Sequence, residues 1–348
     1  MKILVTGGAG FIGSAVVRFL INQTNNEVLN VDSLTYAGNL KNVEIASSSR
    51  RYNFIKVDLC DLQALKKAFD FFKPQSIIHL AAESHVDRSI NAPSEFIWTN
   101  IIGTYNLLET TREYLSAIDK KYVEKFRFLH VSTDEVYGDL PHPNYQLDAD
   151  KYSFKEASPY APNSPYAASK ASSDHLVRSW GHTYGLSTLI SNCSNNYGEY
   201  QYPEKFIPKM ILSATRGERL PIFGNGENIR DWLYVEDHVE ALYLILKKGQ
   251  PGASYNIGGN SEFQNIEVAR LICHILDEIC STKPDGISNY FELAEFVTDR
   301  AGHDKRYAMD TQKLTDELGW EPKHSFENGL RKTVAWYLKN GHWLEQLT

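Results

Sequence analysis

"KILVTGGAGFIGSAVVRFLINQ", residues 2–23, decides the fold. An apolar, β-prone run leads straight into "TGGAGFIG", residues 6–13, and an apolar-periodic segment follows, so the stretch reads as strand, tight turn and helix. The turn satisfies two glycine spacings at once, Gly7–Gly10–Gly13 and Gly8–Gly10–Gly13. By itself such a match is weak. Between a strand and a helix it marks the place where backbone can approach a pyrophosphate held at a helix N-terminus, with Phe11 and Ile12 beside it. A glycine-rich turn without a ligand is the plainer alternative.

The next strand-like segment, "EVLNVDS" (27–33), ends in an acid about 20 residues beyond the glycines. There Asp32 can take both hydroxyls of an adenosine ribose and would repel a 2′-phosphate, and Ser33 rather than an arginine follows it. NAD is therefore favoured over NADP, with Leu34 and Thr35 completing the segment; Asp32 could instead only cap the turn it precedes. Farther out, "YNFIKVDL" (52–59) brings Asp58 and Leu59 toward the adenine. "SIIHLAA" (76–82) ends in Leu80, Ala81 and Ala82, small enough for backbone to pass close to the cofactor, with Glu83 and Ser84 next.

Between these strands lie helix-like "LQALKKAFDFF" (62–72) and one long helix over 94–115 that carries Thr99. "FRFLHVS" (126–132) is a further strand and residues 165–185 a further helix. This alternation predicts a Rossmann-like, doubly wound parallel α/β sheet over residues 1–190. Residues 191–348 are punctuated by Pro, Gly and Tyr and predict a smaller, loop-rich C-terminal substrate lobe. Segments near 230–260 are expected to return to the first lobe, a strand is expected at 253–259 and a helix at 265–279.

The 348 residues carry a net charge of -7, which leaves no basic footprint for nucleic acid. No run reaches the roughly 20 apolar residues of a membrane helix, and "MKILVTGG" meets glycine too soon for a signal peptide, so a cytoplasmic protein is expected. Cys60, Cys193, Cys273 and Cys280 form no CxxC pair and the 11 histidines show no helical zinc spacing; no metal is expected.

"HVSTDEVYGDLP" (130–141) sets Asp134 and Glu135 side by side at the end of a buried strand. Neighbours on an extended chain face opposite ways, so both acids can serve one site only if the strand stops at Thr133 and they turn inward. Like charges then help one carboxyl keep its proton while the other loses it. A surface acidic pair without a role is the alternative. In "YAASK" (166–170), Tyr166 and Lys170 at i, i+4 share one helix face. Bringing a phenol from a pKa of about 10 towards 7 takes about 4 kcal/mol, which Lys170 and a nearby cofactor cation would supply together, making Tyr166 a general base for an alcohol.

With "TGGAGFIG", Asp32, "STDEVYG" and "YAASK" in place, the chain resembles the sugar-nucleotide branch of the extended short-chain dehydrogenase/reductase family. The likeness continues through "SLTYAGNL", "LAAESHVDRSI", "SSDHLVRSW", "NCSNNYG", "IRDWLYVEDH", "YNIGG" and "DRAGHDKRYAMD", essentially end to end; Ser33 and the loop "NYQLDADKYSF" depart from the pattern. The acids point to its dehydratases, since similar 4-epimerases carry small neutral residues at those places.

The resemblance implies a hydro-lyase that converts dTDP-glucose to dTDP-4-keto-6-deoxyglucose on a retained NAD, feeding deoxysugar synthesis. Tyr166, aided by Thr133, would take the C4 hydroxyl proton while hydride passes to NAD; Glu135 would take the C5 proton; protonated Asp134 would give a proton to the departing C6 hydroxyl. It further implies nucleotide-sugar contacts from Ser84, Thr133, Asn195, Lys205, Phe206, Arg230, Asn265, Asp299, Arg300 and His303, and Asn196 at the nicotinamide. Arg230 suits a diphosphate, or it could tie down Asp231 or a nearby loop. A UDP-glucuronate decarboxylase, another dehydratase or epimerase, or a non-catalytic NAD-binding scaffold are the rival readings. A homodimer is expected on the helices near Ser94 and Tyr166, where Ile97, Ile101, Tyr105 and Leu108 recur at helical spacing.

Overall fold

In the computed structural model, which describes residues 1–299, 302–341 and 343, the opening stretch forms strand β1 (Lys2–Thr6), the glycine turn and the helix Phe11–Gln23. Strands β2 (Glu27–Asp32), β3 (Tyr52–Lys56), β4 (Ser76–His79), β5 (Arg127–Thr133) and β6 (Thr188–Cys193) follow. The second half adds β7 (Asn195–Tyr197), β8 (Leu220–Phe223), β9 (Ile229–Tyr234), β10 (Ser254–Ile257), β11 (Glu262–Gln264) and β12 (Ala294–Val297). The main sheet has seven parallel strands in the order β10-β6-β5-β4-β1-β2-β3. Chain order reverses at β1, between β2 and β4, which opens a crevice at the strands' carboxyl ends.

Both faces of this sheet are covered, as near-continuous apolar strands require. One face packs against Phe11–Gln23 and the helix Val235–Lys248, with Leu20, Leu242 and Ile245 wholly buried between them. The other packs against Leu62–Phe72, Gly103–Ser116 and Pro165–Tyr184 through residues such as Phe69, Leu107 and Val177. A third core, around Tyr197, Met210, Trp232, Ile272 and Phe326, belongs to the smaller lobe and its two small sheets, β11-β9-β7 and β12-β8.

Strand β6 spans the expected division at residue 190, and β10, the helix Val235–Lys248, Leu314 and Trp320 return to the first lobe's core. β6 escapes a periodicity reading because "TLISNC" carries three polar residues, yet it is buried throughout.

The expected single helix over 94–115 is broken. Pro93–Phe96 is α-helical, Ile97–Ile102 is a π-helical turn, and Gly103–Ser116 is α-helical again. Asn100 explains the wide turn. Its amide points inward, accepting from Glu83 N at 2.8 Å and donating to Glu83 O at 3.0 Å and Ser169 Oγ at 2.8 Å. Its carbonyl accepts from the Thr104 and Ser173 hydroxyls. Along this segment Ile97, Trp98 and Tyr105 are exposed, whereas Leu108 is wholly buried in the core and is no part of an outward stripe.

Candidate active site

The glycine turn walls one side of the crevice. Gly7 has φ of +71°, and a Cβ there would stand 2.7 Å from Ala81 N; a Cβ on Gly13 would stand 2.0 Å from the Gly7 carbonyl oxygen. The helix can therefore start this close to β1 only with glycine at both places, and Gly10 at its N-cap adds no side-chain acceptor. Asp32, 8% exposed, accepts from Ala9 N at 2.9 Å and Leu34 N at 2.8 Å. It caps its own turn and also lines the cavity, with burial pushing its carboxyl up.

Ser33, Thr35, Asp58, Leu59, Leu80, Ala81, Ala82, Glu83, Ser84 and Thr99 line the same cavity as Gly7, Gly10, Phe11, Ile12 and Gly13. Leu34 does not; at φ of +54° it lends its N–H to Asp32 instead. The bare cradle, the acid at the end of β2 and the small residues after β4 fit a dinucleotide. Across the mouth, the Tyr36 hydroxyl donates to Glu204 at 2.8 Å, the Arg88 guanidinium lies 3.6 Å over the Tyr36 ring, and Lys205 Nζ donates to Ser84 O at 2.8 Å. These contacts tie the smaller lobe to the larger one; sequence reading missed Tyr36 and Glu204 because neither belongs to a spaced motif.

β5 does stop at Thr133. Asp134–Tyr137 is a turn of 3-10 helix whose cap is the Thr133 hydroxyl, which accepts from Glu135 N at 3.3 Å and donates to Asp134 Oδ1 at 3.2 Å. Thr133, Asp134, Glu135, Tyr166, Lys170, Asn195, Asn196 and Lys205 all line the cavity, continuous with the glycine half. Asp134 is 2% exposed, and its Oδ2 has no hydrogen-bond partner among the described residues. Burial, and then the neighbouring Glu135, push the Asp134 carboxyl well up, against the pull of Arg230.

The sequence assigns the lowering of the Tyr166 phenol to Lys170 and a cofactor cation together, and the surrounding residues of the chain push it the other way. Burial and Glu135 push that phenol up and only the Thr133 hydroxyl opposes them. Lys170 Nζ donates to the Val131 carbonyl at 2.9 Å. Desolvation outweighs the helix-face pairing, so a phenolate needs an added positive charge.

The remaining expected substrate residues stand apart from the cavity lining. Arg230 is 5% exposed, donates to the Ile229 and Asp304 carbonyls at 2.7 and 2.8 Å, and lies 4.3 Å over the Tyr307 ring, so it braces a loop. Asp231 instead accepts from Gly259 N and Ser261 N. Phe206 packs on Trp232, Asn265 donates its N–H to the Asn228 carbonyl, and Asp299 pairs with His303 at 2.7 Å. Arg300 lies outside the described residues. Tyr307, whose hydroxyl donates to Asp304, lies close enough to Glu135 for that acid to push its phenol up, and Arg230 also acts on Asp134; the Arg230–Tyr307 unit therefore backs the acid pair. His238, which holds Asn196 Oδ1 at 2.8 Å, was likewise missed in sequence. Among the described residues, no group of three His, Cys, Asp or Glu could hold a metal ion.

Residues 4–333 match the family model described as GDP-mannose 4,6 dehydratase. A dTDP-glucose 4,6-dehydratase of Escherichia coli is 56% identical over 349 residues, covering 100% of this chain and 96% of that protein. Among solved structures, the dTDP-glucose 4,6-dehydratase of Bacillus anthracis in complex with NAD is 42% identical with a TM-score of 0.85. That of Streptomyces venezuelae, with NAD and a second ligand bound, is 41% identical with a TM-score of 0.88; both comparisons cover 100% of each chain.

Proposed function

This chain belongs to the GDP-mannose 4,6 dehydratase family, and on that premise we propose the reaction it runs: the dehydration of dTDP-glucose to dTDP-4-keto-6-deoxyglucose. It is a hydro-lyase that uses NAD. The observation that carries the reading is the acid pair. Two adjacent carboxyls leave β5 on one 3-10 turn beside Tyr166, one wholly buried and pushed to keep its proton, the other half-buried at the cavity.

Gly7, Gly10 and Gly13 would receive the pyrophosphate of NAD, Asp32 the adenosine ribose, and Asn196, held by His238, the nicotinamide side. NAD, when bound, supplies an acceptor for the C4 hydrogen and its return to C6. Tyr166 takes the proton of the C4 hydroxyl, with Thr133 in reach of both; the buried phenol lacks a nearby positive charge, which a bound nicotinamide ring would supply. The C4 ketone acidifies C5–H, Glu135 removes that proton, Asp134 delivers its own to the departing C6 hydroxyl as water, and C5 regains a proton from Glu135 once C6 is reduced. The second lobe supplies the nucleotide-sugar contacts, with Asn195 and Lys205 at the cavity wall.

The chain also fits a homodimer through the exposed Ile97, Trp98 and Tyr105, and sedimentation as a monomer at micromolar concentration would remove that part of the reading. A cytoplasmic location is proposed with it; among the described residues no helix is long and apolar enough to cross a membrane. The deciding assay compares turnover of dTDP-glucose with that of UDP-glucose, UDP-glucuronate and GDP-mannose. The 4-keto-6-deoxy product should form fastest from dTDP-glucose, and preference for any other substrate would overturn the assignment.

A further inference from the structure

Beneath the cavity, Lys170 is the head of a buried polar chain that the reaction as described does not use. Its ammonium, on a side chain 4% exposed, lies 3.4 Å from His130 Nε2. The same nitrogen lies 3.2 Å from Asp174 Oδ1, and both His130 and Asp174 are wholly buried. Asp174 stands one helical turn beyond Lys170, and its second oxygen accepts from the Ser132 and Tyr160 hydroxyls at 2.8 Å each. Among the described residues Oδ1 has no hydrogen-bond partner beyond this approach to His130. One nitrogen cannot accept from an ammonium and donate to a carboxylate at once. The three groups are electrically balanced when His130 is neutral, Lys170 charged and Asp174 charged, and a buried cation without a counter-charge is costly.

We propose that Asp174, its carboxylate set beside the same His130 nitrogen, is the positioning residue that keeps Lys170 charged at the cavity wall. This deepens the dehydratase reading and rests on it. The other groups facing Lys170 do not supply a fixed negative charge. Among the described residues they are the Val131 carbonyl on β5, the Cys193 thiol on β6 and, farther off, His79 on β4. Asp174 is itself faced by Ser132, His130, Tyr160 and Tyr137, with Arg178 behind Tyr160. The electrostatics agree. Burial pushes Lys170 down, Asp174 is foremost in opposing it, and burial pushes His130 down to about 4, so it is neutral at ordinary pH.

The test is the pH profile of kcat with dTDP-glucose for the wild type, Asp174→Asn, Asp174→Glu and Tyr160→Phe. Loss of the carboxylate leaves the Lys170 ammonium less stable, so in Asp174→Asn the alkaline limb should move down by about one pH unit or more. Asp174→Glu should restore the limb, and Tyr160→Phe, which disturbs the same pocket but leaves the charge, should keep it in place. A uniform fall in kcat with an unmoved limb in Asp174→Asn would show a merely structural role and overturn the proposal. If Asp174→Asn does not fold, Asp174→Ser, which also removes the charge, should give the same downward shift, and an unmoved limb there is equally fatal. A wild type that fails to turn over dTDP-glucose would refute the dehydratase reading itself, an outcome distinct from all of these.

Discussion

Asp134→Asn separates the fold from the chemistry. Asparagine copies the shape of a protonated aspartate, and its Oδ1 can still accept from the Thr133 hydroxyl. If burial and Glu135 hold the native carboxyl protonated, the folded state carries a proton that the unfolded chain releases above about pH 4. The folded pKa is raised, so the native state binds more protons and this group costs stability as pH rises from that point. The slope is about 1.4 kcal/mol per pH unit while the carboxyl stays neutral. The variant has no such slope. Wild type and variant should therefore diverge by about 1.4 kcal/mol per pH unit, or about 2 °C in Tm for a chain of this size, with the variant gaining toward neutral pH. A constant offset of about 1 kcal/mol from the extra amide N–H leaves the slope unchanged. Activity should fall by about 10² to 10⁴, because the amide has no proton to give. Thermal melts of both proteins across a mildly acidic to neutral series provide the check. A flat difference would mean that Asp134 is ionised in the folded protein, and it could not then serve as the acid that releases water.

Glu135→Gln should still oxidise C4 and then stall, so cofactor absorbance of the reduced form builds up on the enzyme, whereas Tyr166→Phe should show none; released product at the wild-type rate from Glu135→Gln would remove the elimination role. Gly13→Ala drives a Cβ to 2.0 Å from the Gly7 carbonyl oxygen, so the purified protein should carry less than about one tenth of the wild-type NAD, and full NAD content by extraction would contradict the cradle. Burial pushes His130 down to about 4 from an ordinary 6.5. Its folded pKa is depressed, so the unfolded chain takes up the proton first and stability is lost as pH falls through that window. Relative to His130→Asn, the wild type should lose roughly 3.5 kcal/mol there, about 1.4 for each pH unit between 6.5 and 4, and equal acid unfolding curves would refute this.

The part of the fold legible in sequence is the part where local pattern and tertiary burial agree. The helices Phe11–Gln23, Leu62–Phe72 and Asn265–Ile279 fall on the residues their periodicity marks, and each buries one apolar stripe. β6 was illegible because its polar residues are buried and paired inside the sheet: Asn192 reaches the Thr133 carbonyl and Ser191 the His130 carbonyl. The π turn at Ile97–Ile102 was illegible because its cause, the bonds from Asn100 to Glu83 and Ser169, spans 17 and 69 residues. In the site, residues fixed by backbone geometry within one motif could be read, and the clamp of Tyr36, Arg88 and Glu204 could not, since its partners come from two loops and the short helix Val86–Asn91.

The acid pair shows how a local switch creates what an extended strand denies. Continued as β-structure, Asp134 and Glu135 would point to opposite faces, one into each helical layer. The change to 3-10 geometry at Thr133 narrows their separation to about 120° around the axis, so both can edge the same cavity while sitting at different depths. Depth then does the chemical sorting. Asp134 lies on the wholly buried side, near Arg230 and Asp231, and burial favours its neutral form; Glu135 stays half-buried, and its charge raises the cost of ionising its neighbour. Proton donor and proton acceptor are thus set by one change of backbone direction, with Thr133 as its cap, and this is why replacing Thr133 should disturb both acids together rather than either alone.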